Sequence, residues 1–358
     1  MLLILSSAWV FADSGEYARS LLTPTGITGT ARYMGMSGAM AAIGGDMSAT
    51  ADNPASIGLY RRSEVSLAFD VKSNISRSNS NYNIWSGSLT SFSWLFHFRT
   101  NSNRQTGVLH QGLSFSYSRK EYDREEWKAY VVPPFSRREQ TFHAYANSRI
   151  DDYSMDYGMN ISNKVYLGAG MSLRTLNSLI ESEVSDTIFD DTKISNLGFT
   201  IRGGVIYRPA RWLRLGAAVH SPIWVSDMKR LPMRTVVGMA FQAREKGLVS
   251  VEYDYYHDGT HLTPDMHLLK AGGEYVFARN GFINAGYAFS FIDQRHYASL
   301  GFSWRSAYFV AGMAYQFSYS QQPKLLSFFP EHTFVQTDSA IKSITNRIVF
   351  TFAWRYGG

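Results

Sequence analysis

Alternation is the most regular feature of this chain. Along its last stretch, Ile348, Phe350, Phe352, Trp354 and Tyr356 share one parity, and Arg347, Val349, Thr351, Ala353 and Arg355 share the other. A period of two with that contrast predicts a strand with one greasy face and one wet face. The pattern recurs throughout. Val65, Leu67, Phe69 and Val71 alternate with Glu64, Ser66, Ala68 and Asp70, while Phe92, Trp94, Phe96 and Phe98 oppose Ser91, Ser93 and His97. Leu113, Phe115 and Tyr117 oppose Ser114, Ser116 and Ser118; Tyr153, Met155, Tyr157 and Met159 oppose Ser154, Asp156 and Asn160. Val165, Leu167, Ala169, Met171 and Leu173 face away from Gly168, Gly170, Ser172 and Arg174. Later strands are predicted near 197–207, 213–221, 233–242, 248–255, 266–277, 282–290, 297–304, 307–318 and 346–356. The total is about 14, an even number, as a bacterial transmembrane barrel requires.

The connectors carry a second pattern. Ser162-Asn163-Lys164, Pro209 to Trp212, Ala243 to Gly247, Ala278 to Gly281 and Arg305-Ser306 are short. They alternate with longer polar loops at 72–87, 119–152, 175–196, 222–232, 256–265, 291–296 and 319–345. Outer-membrane barrels have short periplasmic turns and long extracellular loops, whereas a soluble sandwich has no reason to alternate them. Only 99–108 is longer than its place in the series predicts. The fold class is therefore all-β, a transmembrane antiparallel barrel over residues 62–358.

Two N-terminal stretches do not alternate. Residues 1–12, MLLILSSAWVFA, have the length and apolarity of a signal peptide with Val10-Phe11-Ala12 as its cleavage site, although a basic n-region is missing. Residues 13–61 are rich in Gly, Ala and Met, with Gly26, Gly29, Gly35, Gly38, Gly44 and Gly45 dividing short apolar pieces. Small residues and adaptable methionines suit a plug, or hatch, packed into the barrel lumen; a periplasmic appendage is the other home for them.

Composition narrows the classes further. Charged residues are 18% of the 358, and aromatics reach 15%, against roughly 25% charged in soluble proteins. The absence of Cys excludes disulfide scaffolds, Cys-ligated metals and thiol catalysis. No uninterrupted apolar run approaches the roughly 18 residues of a spanning helix. A net charge of +6 raises nucleic acid, but the basic residues are scattered and form no run, so no nucleic-acid partner is expected.

Three stretches carry a family resemblance. Gly29-Thr30-Ala31-Arg32-Tyr33-Met34-Gly35-Met36-Ser37-Gly38-Ala39 leads to Gly44-Gly45-Asp46 and then to Asp52-Asn53-Pro54-Ala55-Ser56-Ile57-Gly58-Leu59-Tyr60. Gly204 to Pro209 with Leu213 to Pro222, and Gly272-Gly273-Glu274-Tyr275, are the others. Together they resemble the FadL/TodX family of outer-membrane transporters of long-chain fatty acids and other hydrophobic compounds, in the form of its Bacteroidetes branch. The resemblance implies a fourteen-stranded barrel, an N-terminal hatch carrying Asn53, Pro54 and Ala55, and a passive path. On that path a hydrophobic ligand is captured near the extracellular loops, held beside the hatch, and released by hatch movement, in the best-known members sideways at a kinked strand.

Candidate chemistry is sparse. Asn53 bonding its own backbone and Pro54 fixing φ would make a rigid turn. By strand parity Arg174, Arg202, Arg214, His220, Arg234, Glu252, Asp254, Lys270 and Glu274 point into the lumen, where a charge must be paired or wetted. One reading is a stabilising ion network. The sharper one makes Arg174, His220 and Arg234 a cationic anchor, near the extracellular end, for a ligand carboxylate; the rival pairs them with hatch acids such as Asp46 or Asp52. His257 and His261, with Asp258 and Asp265, lack ligand spacing, and Asp186, Asp190 and Asp191 read as solvated loop. Neither metal nor cofactor is expected. No nucleophile sits beside a base in sequence, so an enzyme is not expected. The expected partners are a hydrophobic small molecule, outer-membrane lipid and lipopolysaccharide, with the barrel a monomer. The alternative function is a structural barrel, for example in a Bacteroidetes secretion machine, docking protein through loops 119–152 and 319–345.

Overall fold

The structure, a computed structural model, describes residues 26–77, 81–100, 107–131, 140–184, 187–225, 232–243, 246–257, 265–291, 294–320 and 342–357. The expected signal peptide and residues 13–25 lie outside them. Among the described residues no helix is long and apolar enough to cross a membrane.

Strands run in chain order as β1 (Ser63–Arg77), β2 (Asn81–Arg99), β3 (Val108–Val131), β4 (Gln140–Ile161), β5 (Val165–Val184), β6 (Thr187–Ala210) and β7 (Leu213–His220). After the two-residue β8 (Trp224–Val225) come β9 (Met233–Ala243), β10 (Gly247–His257), β11 (Met266–Val276), β12 (Gly281–Ser290), β13 (Arg295–Arg305), β14 (Phe309–Ser320) and β15 (Lys342–Tyr356). All pairing is antiparallel and between neighbours in sequence except around β8, and β1 pairs with β15 from Ser63↔Tyr356 to Arg77↔Lys342, which closes the ring. Fourteen strands form the wall. At Ser221-Pro222 the seventh breaks: β7 pairs with both β6 and β9, whereas β8 pairs with β6 at Phe199 and Gly198. Pro222 has no N–H to give the ladder.

Burial is inverted relative to a soluble protein. Phe69, Trp94, Phe115, Ile201, Val251 and Phe350 are exposed on the outside, while Glu64, Ser66, Asp70, Ser93 and Thr351 are buried within. That is what alternation predicts when the solvent outside is hydrocarbon. Aromatics crowd the rim of short turns, with Trp212, Tyr308 and Trp354 well exposed.

Three predicted loops are corrected. In place of loops 72–87, 119–152 and 175–196, strand pairing continues to Arg77↔Asn81, Val131↔Gln140 and Val184↔Thr187. A crossing strand needs only about 9–11 residues in the bilayer. Beyond it, two neighbours still satisfy each other's backbone, so the ladder persists after the apolar alternation has stopped. Likewise β10 runs on to His257 and β13 starts at Arg295, inside the predicted loops 256–265 and 291–296. Residues 132–139 and 321–341, and the side chains of the predicted contact surface around Trp127 and Tyr130, lie outside those described.

Residues 26–60 lie inside the ring. They form two short helices, α1 (Ala31–Gly35) and α2 (Met47–Thr50), and a 3-10 helix, Pro54–Leu59. Each begins on a side-chain cap: Thr30 accepts from Tyr33 N, Asp46 from Ser48 N, and Asn53 from Ala55 N. Such caps stabilise a helix start by about 1 kcal/mol each. Met34, Met36 and Met40 are fully buried filler.

The wall receives this segment through glycines. A Cβ at Gly168 would lie 2.3 Å from the Pro54 carbonyl carbon, one at Gly204 2.1 Å from Asn53 Oδ1, and one at Gly286 2.4 Å from the Met36 carbonyl carbon. At Gly168 and Gly286 backbone therefore lies on backbone, and at Gly204 the Asn53 side chain does, approaches that a side chain on the wall forbids. Gly168→Val keeps a strand-forming residue in β5 but removes that seat. We expect a folded, heat-modifiable barrel with raised single-channel conductance in planar bilayers; wild-type conductance would mean that the segment tolerates the methyls.

Candidate functional site

On the side of the long connectors, the lumen segment and the wall border a narrow, partly open cavity of about 70 Å³. Its floor is Ile27, Tyr33, Ala51 and Asp52, and its walls include Lys120, Asp152, Arg174, Arg202, His220, Arg234, Asp254 and Lys270. Ile223, Tyr256 and Leu268 add apolar surface, and Ser221 and Pro232 border it where β7 breaks. Arg174, His220 and Arg234, the expected anchor, thus line one cavity. Arg174 stands at mid-strand rather than near the top, because β5 continues past it to Val184.

The charges are mostly paired. Arg174 donates to both Asp152 oxygens at 2.7 and 2.8 Å, and Arg202 to both Asp156 oxygens at 2.7 Å. Arg234 bridges wall and floor, reaching Asp254 at 2.6 Å and Asp52 at 2.8 Å. Lys270 contacts Glu252 at 2.7 Å and Asp254 at 2.8 Å, and Glu252 accepts from Ala41 N at 2.6 Å. Tyr33 donates to Asp52 at 2.5 Å, and His220 Nε2 lies 2.9 Å from the Asp52 carbonyl oxygen. A carbonyl only accepts, so Nε2 carries the proton. Burial alone would raise the Asp52 carboxyl, but Arg234 and Lys270 outweigh it and hold Asp52 below the ordinary carboxylate range. Asp52 therefore stays an anion.

Lys120 differs. It is the extra residue of a bulge in β3, between the pairs Arg119↔Asp151 and Glu121↔Ile150. The bulge aims it into the cavity, and among the described residues no acid lies within ion-pair distance of it. Charge-assisted hydrogen bonds from such a group to a ligand anion are the strong kind.

The remaining predicted residues lie elsewhere. Asn53 donates to Ala41 O at 2.9 Å and Val205 O at 3.1 Å while capping the 3-10 helix, so it ties segment to wall; Pro54 and Ala55 form the first turn beside it. Arg214 donates to the Ile43 carbonyl at 2.9 Å, an acceptor on the segment rather than an acid. Glu274 is held by Arg32 at 2.8 Å, by Arg305 and by Asn284. Glu274 thus pairs apart from Glu252, Asp254 and Lys270, with the segment between them. His257 contacts Asp265 at 2.9 Å on the exposed surface. His261, Asp258 and Asp186, and the side chains of Asp190 and Asp191, lie outside those described, and among the described residues no group of three ligands could hold a metal.

Sequence reasoning passed over Lys120, Asp152, Arg32 and Arg305, and saw Asp156 only as a polar strand position. Asp156 had a readable signal in its inward parity. Lys120 had none, because a bulge leaves no trace in composition.

No protein-family model and no curated protein matches the chain. Solved structures do match in fold. The P. putida toluene transporter TodX superposes with TM-score 0.66 at 12% identity, over 93% of this chain and 99% of that one. The Ralstonia pickettii toluene transporter TbuX gives 0.63 at 12%, over 93% and 100%. A Pseudomonas aeruginosa FadL homologue gives 0.63 at 11%, over 92% and 98%. At this identity the likeness shows the fold, and the fold is the FadL type that the N-terminal motifs resembled.

The Arg202–Asp156 pair offers a direct test of the lumen electrostatics, since its side chains are 3% and 0% exposed. Asp156→Ala strands a buried guanidinium, a loss of about 3–5 kcal/mol. The urea midpoint should fall accordingly and recover in part when Arg202→Met is added. An unchanged midpoint in the single variant would show that water solvates Arg202.

Proposed function

We propose that this protein is a bacterial outer-membrane channel for passive uptake of hydrophobic small molecules that carry an anionic end, of the fatty-acid class, with residues 13–61 as its hatch. The observation that carries the reading is the upper cavity. It is walled by the barrel, floored by the hatch, and lined by apolar Ile27, Ile223 and Leu268 beside Lys120, Arg174, His220 and Arg234. A purely hydrocarbon ligand would leave Lys120 without an anionic partner. An anionic amphiphile places its end group on Lys120 and its chain on the apolar residues. Structural neighbours that carry the same architecture are named as transporters and channels of toluene and monoaromatic hydrocarbons, which supports hydrophobic uptake as the class.

The Arg234–Asp52 contact then acquires a role. An incoming carboxylate competes with Asp52 for Arg234 and loosens the floor from the wall. Two exits suit the geometry: past the displaced hatch, or sideways at the Ser221-Pro222 break, where β8 pairs with β6 and the cavity reaches the wall.

A second reading, a barrel that docks protein, is favoured by one observation. The β3–β4 hairpin pairs as far as Val131↔Gln140, well beyond the length that a bilayer needs. Deleting residues 121–148 separates the two, since uptake should survive while a docking role should not.

Arg234→Ala tests the main reading. Dodecanoate binding should weaken about tenfold or more, the loss of one charge-assisted hydrogen bond, while dodecanol binding is unchanged. Equal loss of both, with a lowered melting temperature, would reduce Arg234 to a structural ion pair.

A further inference from the structure

A second cavity lies on the opposite side of the hatch, toward the short turns. It measures about 360 Å³ and is more open than the first. The hatch supplies its inner surface with Ile43, Gly44, Gly45 and Leu59, and β10 and β12 supply Leu248 and Phe282. Arg32 holds the two-glycine turn from beneath, donating to the Gly44 and Gly45 carbonyls at 3.2 Å.

The charges of this cavity do not balance. Of the charged residues that line it, Arg32, Arg214 and Lys246 are cations and Glu274 is the acid, and Glu274 is already held by Arg32 and by Arg305 just outside the lining. Arg214 and Lys246 line the same space with no acid within ion-pair distance among the described residues. One guanidinium nitrogen of Arg214 is committed to the Ile43 carbonyl at 2.9 Å, which orients the group and leaves its other N–H donors for a ligand. Beside these cations lie the apolar side chains of Leu248, Val276 and Phe282, with the Arg305 guanidinium 3.9 Å above the Phe282 ring. Unpaired cations next to apolar surface complement one kind of small molecule, an amphiphile with a single anionic end.

We propose that this cavity is a second binding station, where Arg214 and Lys246 hold the anionic end of a transported amphiphile after it has passed the hatch. The inference rests on the uptake reading above and extends it. Cations stand on both sides of the hatch, so an anion leaving the upper cavity is handed to a partner instead of facing an unfavourable gap. The hatch residues between the stations, Arg32 with Ile43 to Gly45, contact the lower one directly. Occupancy there bears on the turn that Arg32 clamps.

The test maps a diazirine-bearing dodecanoate by photocrosslinking to the full-length protein in detergent, followed by peptide mass spectrometry. Labels are expected around Ile223 and Leu268 for the upper station and around Leu248 and Phe282 for the lower. Combined Arg214→Gln and Lys246→Gln should cut the lower labels about tenfold or more and leave the upper ones unchanged. A diazirine-bearing dodecanol should not label the lower station. Upper labels alone in the wild-type protein would overturn the second station while leaving the uptake reading intact. Lower labels insensitive to both substitutions would overturn the role of the two cations. No label at either place would remove the uptake reading and this inference together. Because the wild-type map decides the first point, a misfolded variant does not rescue the proposal.

Discussion

Every backbone N–H and C=O at membrane depth must find its partner within the protein, because hydrocarbon offers none. Closure of β1 on β15 meets that requirement for the strands that would otherwise be edges. From closure follow the inward and outward faces, the alternation that marks them in sequence, and an interior in which polar side chains are sheltered from lipid. Ser221-Pro222 is where the ladder is given up, and it borders the upper cavity. The wall is interrupted beside the site, where backbone groups can reach lumen water.

An interior of this width needs filling, and it is filled by main chain laid against main chain. Gly168, Gly216 and Gly286 leave room for the main chain of Pro54, Ala41 and Met36, and Gly204 for the Asn53 side chain. Asn53 then satisfies carbonyls on both sides of the contact, Ala41 on the segment and Val205 on the wall. The position of the segment sets the two cavities. It also divides the lumen charges into an upper cluster around Asp52, Arg234, Asp254 and Lys270 and a lower one around Arg32, Glu274 and Arg305. Buried ion pairs contribute little net stability once desolvation is charged against them. Their stronger effect is to fix which groups face the cavity. The two acids around Arg234 hold it in place, whereas among the described residues Lys120 and Arg214 have no acid within ion-pair distance.

The architecture was legible before any coordinates because period-two alternation is a direct record of two solvents. Phe350, Phe352 and Trp354 could only face lipid, and Val349, Thr351 and Ala353 only the lumen. Legibility ended where that record ends. Above the bilayer both faces of a strand meet water, alternation vanishes, and β3 to β6 read as loops although their ladders continue.

The sequence by itself determined the strands, their inward charges and the capped, glycine-rich segment. These depend on local periodicity and on side-chain oxygens within three residues of a helix start. Tertiary structure alone decided which inward charges meet. Arg234 and Asp52 are far apart in the chain and 2.8 Å apart in space, and Lys120 enters the cavity through a bulge. Parity assigns a face; height and angle around a closed ring depend on register and stagger, which no single strand encodes.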